Sequence, residues 1–146
     1  MTQSNETNMK VFTIGYGGRE PADLVARLLS AGVRTVADVR LRPGSASLGS
    51  YTKAKSPEKG IEALLVPKGI AYSSLPELGN VFLDCADWRE RYTALISCAG
   101  HLLIARLASL TPPLCLLCAE RRVADCHRLQ IAEFLRARGA TVEHLE

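Results

Sequence analysis

The sequence lacks the features that mark membrane, secreted and disulfide-rich proteins. No apolar run approaches the ~20 residues that are needed to cross a bilayer, and the polar segment 1–9 lacks the apolar core of a secretion signal. The five cysteines are an odd number, which argues against a disulfide framework and favours reduced thiols. We therefore expect a cytoplasmic protein without a membrane partner, in which segment 1–9 is a flexible tail.

A strong excess of one charge is also missing. The formal net charge is +3 and the isoelectric point lies near 8.7, with no dense block of lysine and arginine. This balance permits an anionic ligand but does not require a nucleic acid. The chain has 146 residues, of which 47% are hydrophobic and 23% are charged. It is long enough to bury a core, and we expect one domain over residues 10–146.

What the sequence does contain is a repeated order of short apolar run, turn and longer amphipathic stretch. This order predicts strands at 11–14, 34–39, 70–73, 114–117 and 141–144, and helices at 21–31, 57–66, 87–110 and 125–138. The third helix is expected to bend near Gly100, and the segment 44–57 to form a mobile loop. The alternation predicts a three-layer α/β sandwich with a mostly parallel sheet, of Rossmann-like type, with strand 114–117 at its centre.

Polar residues follow three of the predicted strands. In an open parallel sheet, ligands bind beyond the carboxyl ends of the strands. The first strand is followed by a glycine turn that contains Gly15, Tyr16 and Arg19. Its backbone N–H groups could hold an anion, and a plain tight turn is an equally good interpretation. The turn matches neither the dinucleotide fingerprint nor a Walker loop.

The second and third strand ends supply further candidate ligand-binding residues. Arg40 and Arg42 present planar guanidinium groups suited to phosphate or carboxylate. Asp38 either faces the ligand or fixes a neighbouring arginine. After the third strand, Tyr72 is a candidate for stacking or hydrogen bonding, or a core residue, and Glu77 is a candidate general base or partner of an arginine.

The segment from Cys118 to Arg128 is the strongest candidate for a site. Asp125 is a suitable N-cap, which would place Cys126, His127 and Arg128 in the first turn of a helix. Free N–H groups there would favour an anion, and a thiol could become nucleophilic. Candidate catalytic residues are therefore Cys118, Glu120, Cys126 and His127, together with Glu77, and Arg128 is a candidate anion ligand. A purely structural role for each is the competing interpretation.

A metal is not favoured by the sequence. Cys118, Cys126 and His127 could in principle bind zinc, but a close cysteine pair and a fourth ligand are both lacking. We therefore predict neither a metal nor a cofactor.

Four motifs occur in the order of a known family. They are Thr13-Ile14-Gly15-Tyr16, Asp38-Val39-Arg40 with Pro43, Leu75-Pro76-Glu77-Leu78-Gly79, and Cys118-Ala119-Glu120 followed by Cys126-His127-Arg128. Together they resemble the family catalogued as domain of unknown function 488, over about residues 11–145. The resemblance implies a compact α/β domain with these motifs in one pocket, and no settled reaction. This sequence departs from the family pattern at Ser45-Ala46-Ser47 and at Asn80, where a basic contact and a second glycine are usual.

Two functions use these residues to bind a ligand, and a scaffold or partner-binding domain without a small ligand is a third option. The first is an enzyme that acts on a small anionic or nucleotide-like ligand through a cysteine or an acid–base residue. The second is a non-catalytic module that binds a nucleotide or a nucleic acid, with arginines on phosphate and tyrosines stacked on bases. Five residues between a cysteine and an arginine would indicate a sulfurtransferase or phosphatase loop, but Ala124 stands where the arginine is needed. The oligomeric state is not predicted.

Overall fold

Five short strands form one parallel sheet in the computed structural model, which describes residues 9–46 and 48–146. The predicted tail up to residue 8, and Ser47, lie outside the described residues. The strands are β1 (Lys10–Gly15), β2 (Thr35–Asp38), β3 (Ala71–Ser74), β4 (Leu114–Cys118) and β5 (Thr141–His144). Their order in the sheet is β3-β2-β4-β1-β5. The apolar strand β4 is wholly buried at the centre, as predicted.

Four helices cover the two faces of this sheet. They are α1 (Pro21–Ala31), α2 (Gly60–Leu65), α3 (Trp88–Leu103) and α4 (Arg128–Ala137). Because side chains alternate along a strand, Leu114 and Leu116 of β4 pack with α3 and α4, whereas Cys115 and Leu117 pack with α1 and α2. The predicted three-layer α/β sandwich with a parallel sheet is confirmed.

The strand order differs from that of the common dinucleotide-binding fold. In that fold β1 lies between β2 and β4, whereas here β4 lies between β2 and β1. The Rossmann-like description therefore holds for the layers and not for the order of the strands.

The predicted helix 87–110 is two elements. Helix α3 ends at Leu103, and a 3-10 helix, Ala105–Ser109, follows it. Gly100 lies inside α3, where an added Cβ would stand 2.6 Å from the ring of Phe134, and the α-helix itself ends after Leu103. The glycine thus allows α3 and α4 to approach closely.

The same region is a long and largely apolar helical segment. By length and composition, 88–109 could cross a membrane, with a mean hydropathy of 1.2 over its best window, so the expectation that no segment qualifies was too strict. Within the fold, however, Tyr92, Ile96 and Leu107 of this segment are buried in the core beside the sheet.

The segment 44–57 has more order than its composition indicated. It contains 3-10 turns at Pro43–Ser45 and Gly49–Tyr51. The Tyr51 side chain is buried, and its hydroxyl donates a hydrogen bond of 2.8 Å to the carbonyl of Arg19. This single aromatic anchors the loop to the glycine turn after β1.

Candidate functional site

A pocket of about 320 Å³ opens at the carboxyl ends of β1, β2 and β4. Six of the residues that the sequence singled out line it: Tyr16, Arg40, Arg42, Cys118, Glu120 and His127. Its volume is in the range of sites for small molecules. The remaining candidates lie behind the wall or elsewhere, and their positions are described below.

Arg40 is fixed in the pocket wall by a buried carboxylate. Its Nε and Nη2 donate to the two oxygens of Asp38 at 2.9 and 2.7 Å, and its backbone N–H donates to Asp38 Oδ1 at 3.1 Å. Asp38 is fully buried, and Arg40 is 6% exposed. Asp38 therefore has the positioning role that the sequence allowed, and not that of a ligand-facing group.

Two tyrosines complete the support of this ion pair. The hydroxyl of Tyr72 donates to Asp38, and the hydroxyl of Tyr16 accepts from Arg40 Nη1 at 3.2 Å. Burial, followed by the charge of Asp38, raises the pKa of Tyr72 far above its usual value. Tyr72 does not line the pocket; it supports Asp38 from behind, which is nearer to the core position that the sequence offered as its alternative.

The glycine turn serves the packing of two backbone segments. A Cβ on Gly15 would lie 1.7 Å from the carbonyl oxygen of Glu120, a distance that no side chain tolerates. The backbone N–H groups of Tyr16 and Gly17 donate to the carbonyls of Cys118 and Ala119. These two donors are occupied, which fits the plain tight turn that the sequence offered as its alternative to an anion cradle.

Two predicted ligand-binding arginines instead bind backbone carbonyls. Arg19 Nε donates to the carbonyl of Gly15 at 2.8 Å. Arg128 is fully buried, and its Nη1 and Nη2 donate to the carbonyls of Glu120 and Arg121 at 2.7 and 3.2 Å. Neither guanidinium lines the pocket, and the hydrogen bonds of Arg19 and Arg128 hold the loops around it.

The start of α4 also differs from the prediction. Asp125 is not its N-cap: it ends a 3-10 turn, Val123–Asp125, and α4 begins three residues later at Arg128. Cys126 and His127 therefore precede the helix and turn inward, where both are buried. The Nε2 of His127 lies 2.9 Å from the carbonyl oxygen of Val39. Since a carbonyl can only accept a hydrogen bond, Nε2 carries the proton and donates it.

Two thiols and this imidazole share one small volume. His127 Nδ1 lies 3.7 Å from Cys126 Sγ and 4.0 Å from Cys118 Sγ. A hydrogen bond with Cys126, together with burial, raises the pKa of Cys118 well above its usual value. Burial also opposes ionisation of Cys126, but a hydrogen bond from Cys118 and the positive charge of Arg128 act against it, and the pKa of Cys126 is lowered. The thiol that lines the pocket is therefore the one that stays protonated, and Cys126 lies behind it.

The two candidate glutamates have different surroundings. Glu120 lies in the pocket with Oε1 3.3 Å from Cys118 Sγ, and burial, followed by the charge of Cys126, raises its pKa. Glu77 lies outside the pocket and is paired with Arg106 at 2.8 Å. Glu77 thus takes the ion-pair role that the sequence offered as its alternative, and not that of a base in this pocket.

One wall of the pocket was not foreseen. It is formed by Leu41 and by the segment 80–84, in which Val81 and Leu83 are 60% and 64% exposed. Asn80 shapes this turn, because its Oδ1 accepts a hydrogen bond from the backbone N–H of Phe82. Apolar side chains that remain exposed beside a polar pocket cannot be distinguished in a sequence from ordinary surface residues.

Comparison with known proteins gives one match. A family model described as "Domain of unknown function DUF488" matches residues 21–135, which is most of the chain. Searches of curated proteins and of solved structures found no match. The matched region holds Arg40 and the whole Cys118–Arg128 segment. The chain therefore belongs to the DUF488 family, as its motifs predicted.

Proposed function

We propose that the pocket binds a small organic anion, and that Arg40 and Arg42 hold its anionic group. The observation that carries the proposal is the fixed guanidinium of Arg40. Three of its five N–H donors are used by Asp38 and Tyr16, which leaves two for a ligand.

This arrangement lowers the cost of binding. A free arginine loses side-chain entropy when it grips a ligand, whereas Arg40 is already held by a carboxylate that is itself fully buried. Its planar fork suits a phosphate or carboxylate group. Arg42 is exposed at the pocket mouth, and no ion pair of its side chain is found among the described residues. It supplies the positive charge that Asp38 does not neutralise.

The rest of the pocket suits an organic portion of the ligand. Leu41, Val81 and Leu83 supply apolar surface to the pocket, next to the polar Asn80 and Asp84. The ring of Tyr16 lies beside Arg40. About 320 Å³ is enough for a molecule the size of a mononucleotide. Cys118, Glu120 and His127 share the floor of the pocket, so any reaction of the ligand would fall to these residues.

The test measures binding of adenosine monophosphate and of inorganic phosphate to the full chain by calorimetry. We expect Arg42→Met to weaken binding of the nucleotide about tenfold, because a hydrogen bond to a charged group contributes about 1.5–3 kcal/mol. Arg40→Lys, which keeps the charge and loses the fork, should weaken it at least as much.

The matched control is Arg34→Met. Arg34 is exposed and precedes β2, whereas Arg40 follows it, so the same charge is removed at the other end of one strand. Equal effects of Arg34→Met and Arg42→Met would refute a specific anion site. Binding of a single-stranded oligonucleotide with a steep dependence on salt, and none of the mononucleotide, would indicate the nucleic-acid module instead.

A further inference from the structure

We propose that Cys118, Cys126 and His127 form a binding site for Zn²⁺, with two thiolates and one imidazole nitrogen as ligands and the fourth position open to the pocket. Their three ligand atoms lie within 4.8 Å of one another. The site uses other side chains than the anion site of Arg40 and Arg42, and it does not depend on that proposal.

The spacing of the three atoms is close to that around a tetrahedral zinc ion. Zn–S and Zn–N bonds of about 2.3 and 2.05 Å place a sulfur and a nitrogen roughly 3.6 Å apart at the tetrahedral angle. The observed distances from His127 Nδ1 are 3.7 Å to Cys126 Sγ and 4.0 Å to Cys118 Sγ. The two nitrogen–sulfur distances therefore exceed the tetrahedral value by a few tenths of an ångström, and the two sulfurs lie within 4.8 Å of each other.

The orientation of His127 is the one that a zinc ligand requires. Histidines that bind zinc usually donate their other ring N–H to a carbonyl or carboxylate, which fixes the tautomer. Nε2 of His127 donates to the carbonyl of Val39 at 2.9 Å, so the lone pair of Nδ1 points at the two sulfurs. The ring is also held by Tyr92, which packs edge-on at a centroid distance of 5.1 Å.

The surroundings of Cys126 Sγ suit a metal-bound thiolate. The backbone N–H of Arg128 donates to this sulfur at 3.4 Å, and the guanidinium of the fully buried Arg128 adds positive charge to this region. On binding, each thiol that still carries a proton releases it to solvent, and the two thiolates balance the charge of the ion.

The fourth position identifies the kind of site. Cys118 and His127 line the pocket, whereas Cys126 lies behind them. A zinc ion held by three protein ligands with one open position is typical of catalytic sites, and closed sets of four are typical of structural ones. Glu120 lies beside this position, with Oε1 3.3 Å from Cys118 Sγ.

Sequence spacing concealed this cluster. Common zinc motifs place two cysteines a few residues apart, whereas Cys118 ends β4 and Cys126 follows the 3-10 turn Val123–Asp125. The turn folds the chain back, so that the second sulfur returns to the end of the strand.

The experiment uses the full chain, reduced and treated with a chelator that is then removed. Titration with Zn²⁺ against a chromophoric competitor should give one ion per chain. Co²⁺ should give the intense visible bands of a tetrahedral site and a thiolate charge-transfer band. Cys126→Ser and Cys118→Ser should each weaken Zn²⁺ binding more than about 100-fold, since even loss of a partner behind a ligand costs 10–100-fold. Cys98→Ser, which removes an exposed thiol of α3, should leave it unchanged.

A second measurement does not depend on the folding of any variant. In the unmodified chain, Zn²⁺ should protect Cys118 and Cys126 from iodoacetamide and leave Cys98 reactive, as read by peptide mass spectrometry. The proposal is overturned if Zn²⁺ protects neither thiol, if Cys98→Ser abolishes binding, or if the purified chain holds a Cys118–Cys126 disulfide and its reduced form binds no ion. Arg42→Met should retain the metal, so failure of the anion site is distinguishable from failure of this one.

Discussion

At the scale of single residues, the same residue type takes opposite roles at neighbouring positions. Arg19 and Arg128 donate to backbone carbonyls inside the wall, whereas Arg40 keeps donors free at its surface. All three follow strand ends or begin a helix, so their position in the chain predicts a ligand-binding role for each of them equally. Their roles differ because a buried carboxylate lies beside Arg40, whereas backbone carbonyls of loops lie beside Arg19 and Arg128.

Substitution of Gly15 should destabilise the fold. Gly15→Ala would place a methyl group 1.7 Å from the Glu120 carbonyl oxygen, so β1 and the loop after β4 must separate. We expect a loss of stability of at least about 1–3 kcal/mol, the usual cost of overpacking. Thermal unfolding followed by circular dichroism would measure it, and binding in the pocket should weaken because Glu120 moves.

Gly49→Ala is the matched control for this change. No heavy atom lies within 4 Å of its added Cβ, and its backbone φ is not positive. A melting temperature equal to that of Gly15→Ala would show that the close approach at Gly15 contributes nothing.

At the scale of elements, one ion pair joins the turn after β3 to the 3-10 helix Ala105–Ser109. Arg106 donates to both oxygens of Glu77, at 2.8 and 2.9 Å, and to the carbonyl of Ser74. This hydrogen bonding lowers the pKa of Glu77 below its usual value. The pair therefore stabilises the fold above the ordinary pKa of a glutamate, and its contribution is lost as the pH falls through the lowered value.

The predicted consequence is a stability difference that depends on pH. Glu77→Gln should be slightly less stable than the unmodified chain at pH 7. The difference should shrink as the pH falls below the ordinary pKa of a glutamate, and disappear once the pH is below the lowered pKa of Glu77. Urea unfolding at a series of pH values would measure it.

Arg106→Gln breaks the same pair from its other side and should show the same dependence on pH, added to a constant loss of its hydrogen bond to the Ser74 carbonyl. The double variant should be no less stable at pH 7 than Arg106→Gln alone. A difference between Glu77→Gln and the unmodified chain that does not shrink between pH 7 and pH 3 would contradict the ion-pair interpretation.

At the scale of the whole molecule, the layered architecture could be predicted from the sequence and the strand order could not. Alternating apolar runs and amphipathic stretches specify strands, helices and a buried central strand, and Leu114–Cys118 is that strand. Which strands become its neighbours depends on long-range packing, which leaves no local signal. The family and the general location of the site were likewise visible in the motifs.

The details of the site depended on contacts between distant segments. The roles of Arg128 and Gly15 follow from carbonyls of the loop 118–121, and the cluster of Cys118, Cys126 and His127 follows from a turn that looked like the first turn of a helix. The apolar wall at Val81 and Leu83 left no pattern in the sequence, because exposed leucine and valine are common on protein surfaces.

The place of β4 between β1 and β2 has a consequence for synthesis on the ribosome. β1 pairs only with β4 and β5, and β2 pairs with β3 and β4, so a nascent chain that ends before Leu114 can pair only β2 with β3. Such non-local pairing makes the sheet form late. We expect stalled nascent chains to resist protease only after β4 has left the exit tunnel, and protection of a chain that ends at residue 113 would contradict this. The apolar strand β1 is synthesised first, and its partner β4 is translated about a hundred residues later. During that interval β1 remains unpaired and accessible to chaperones.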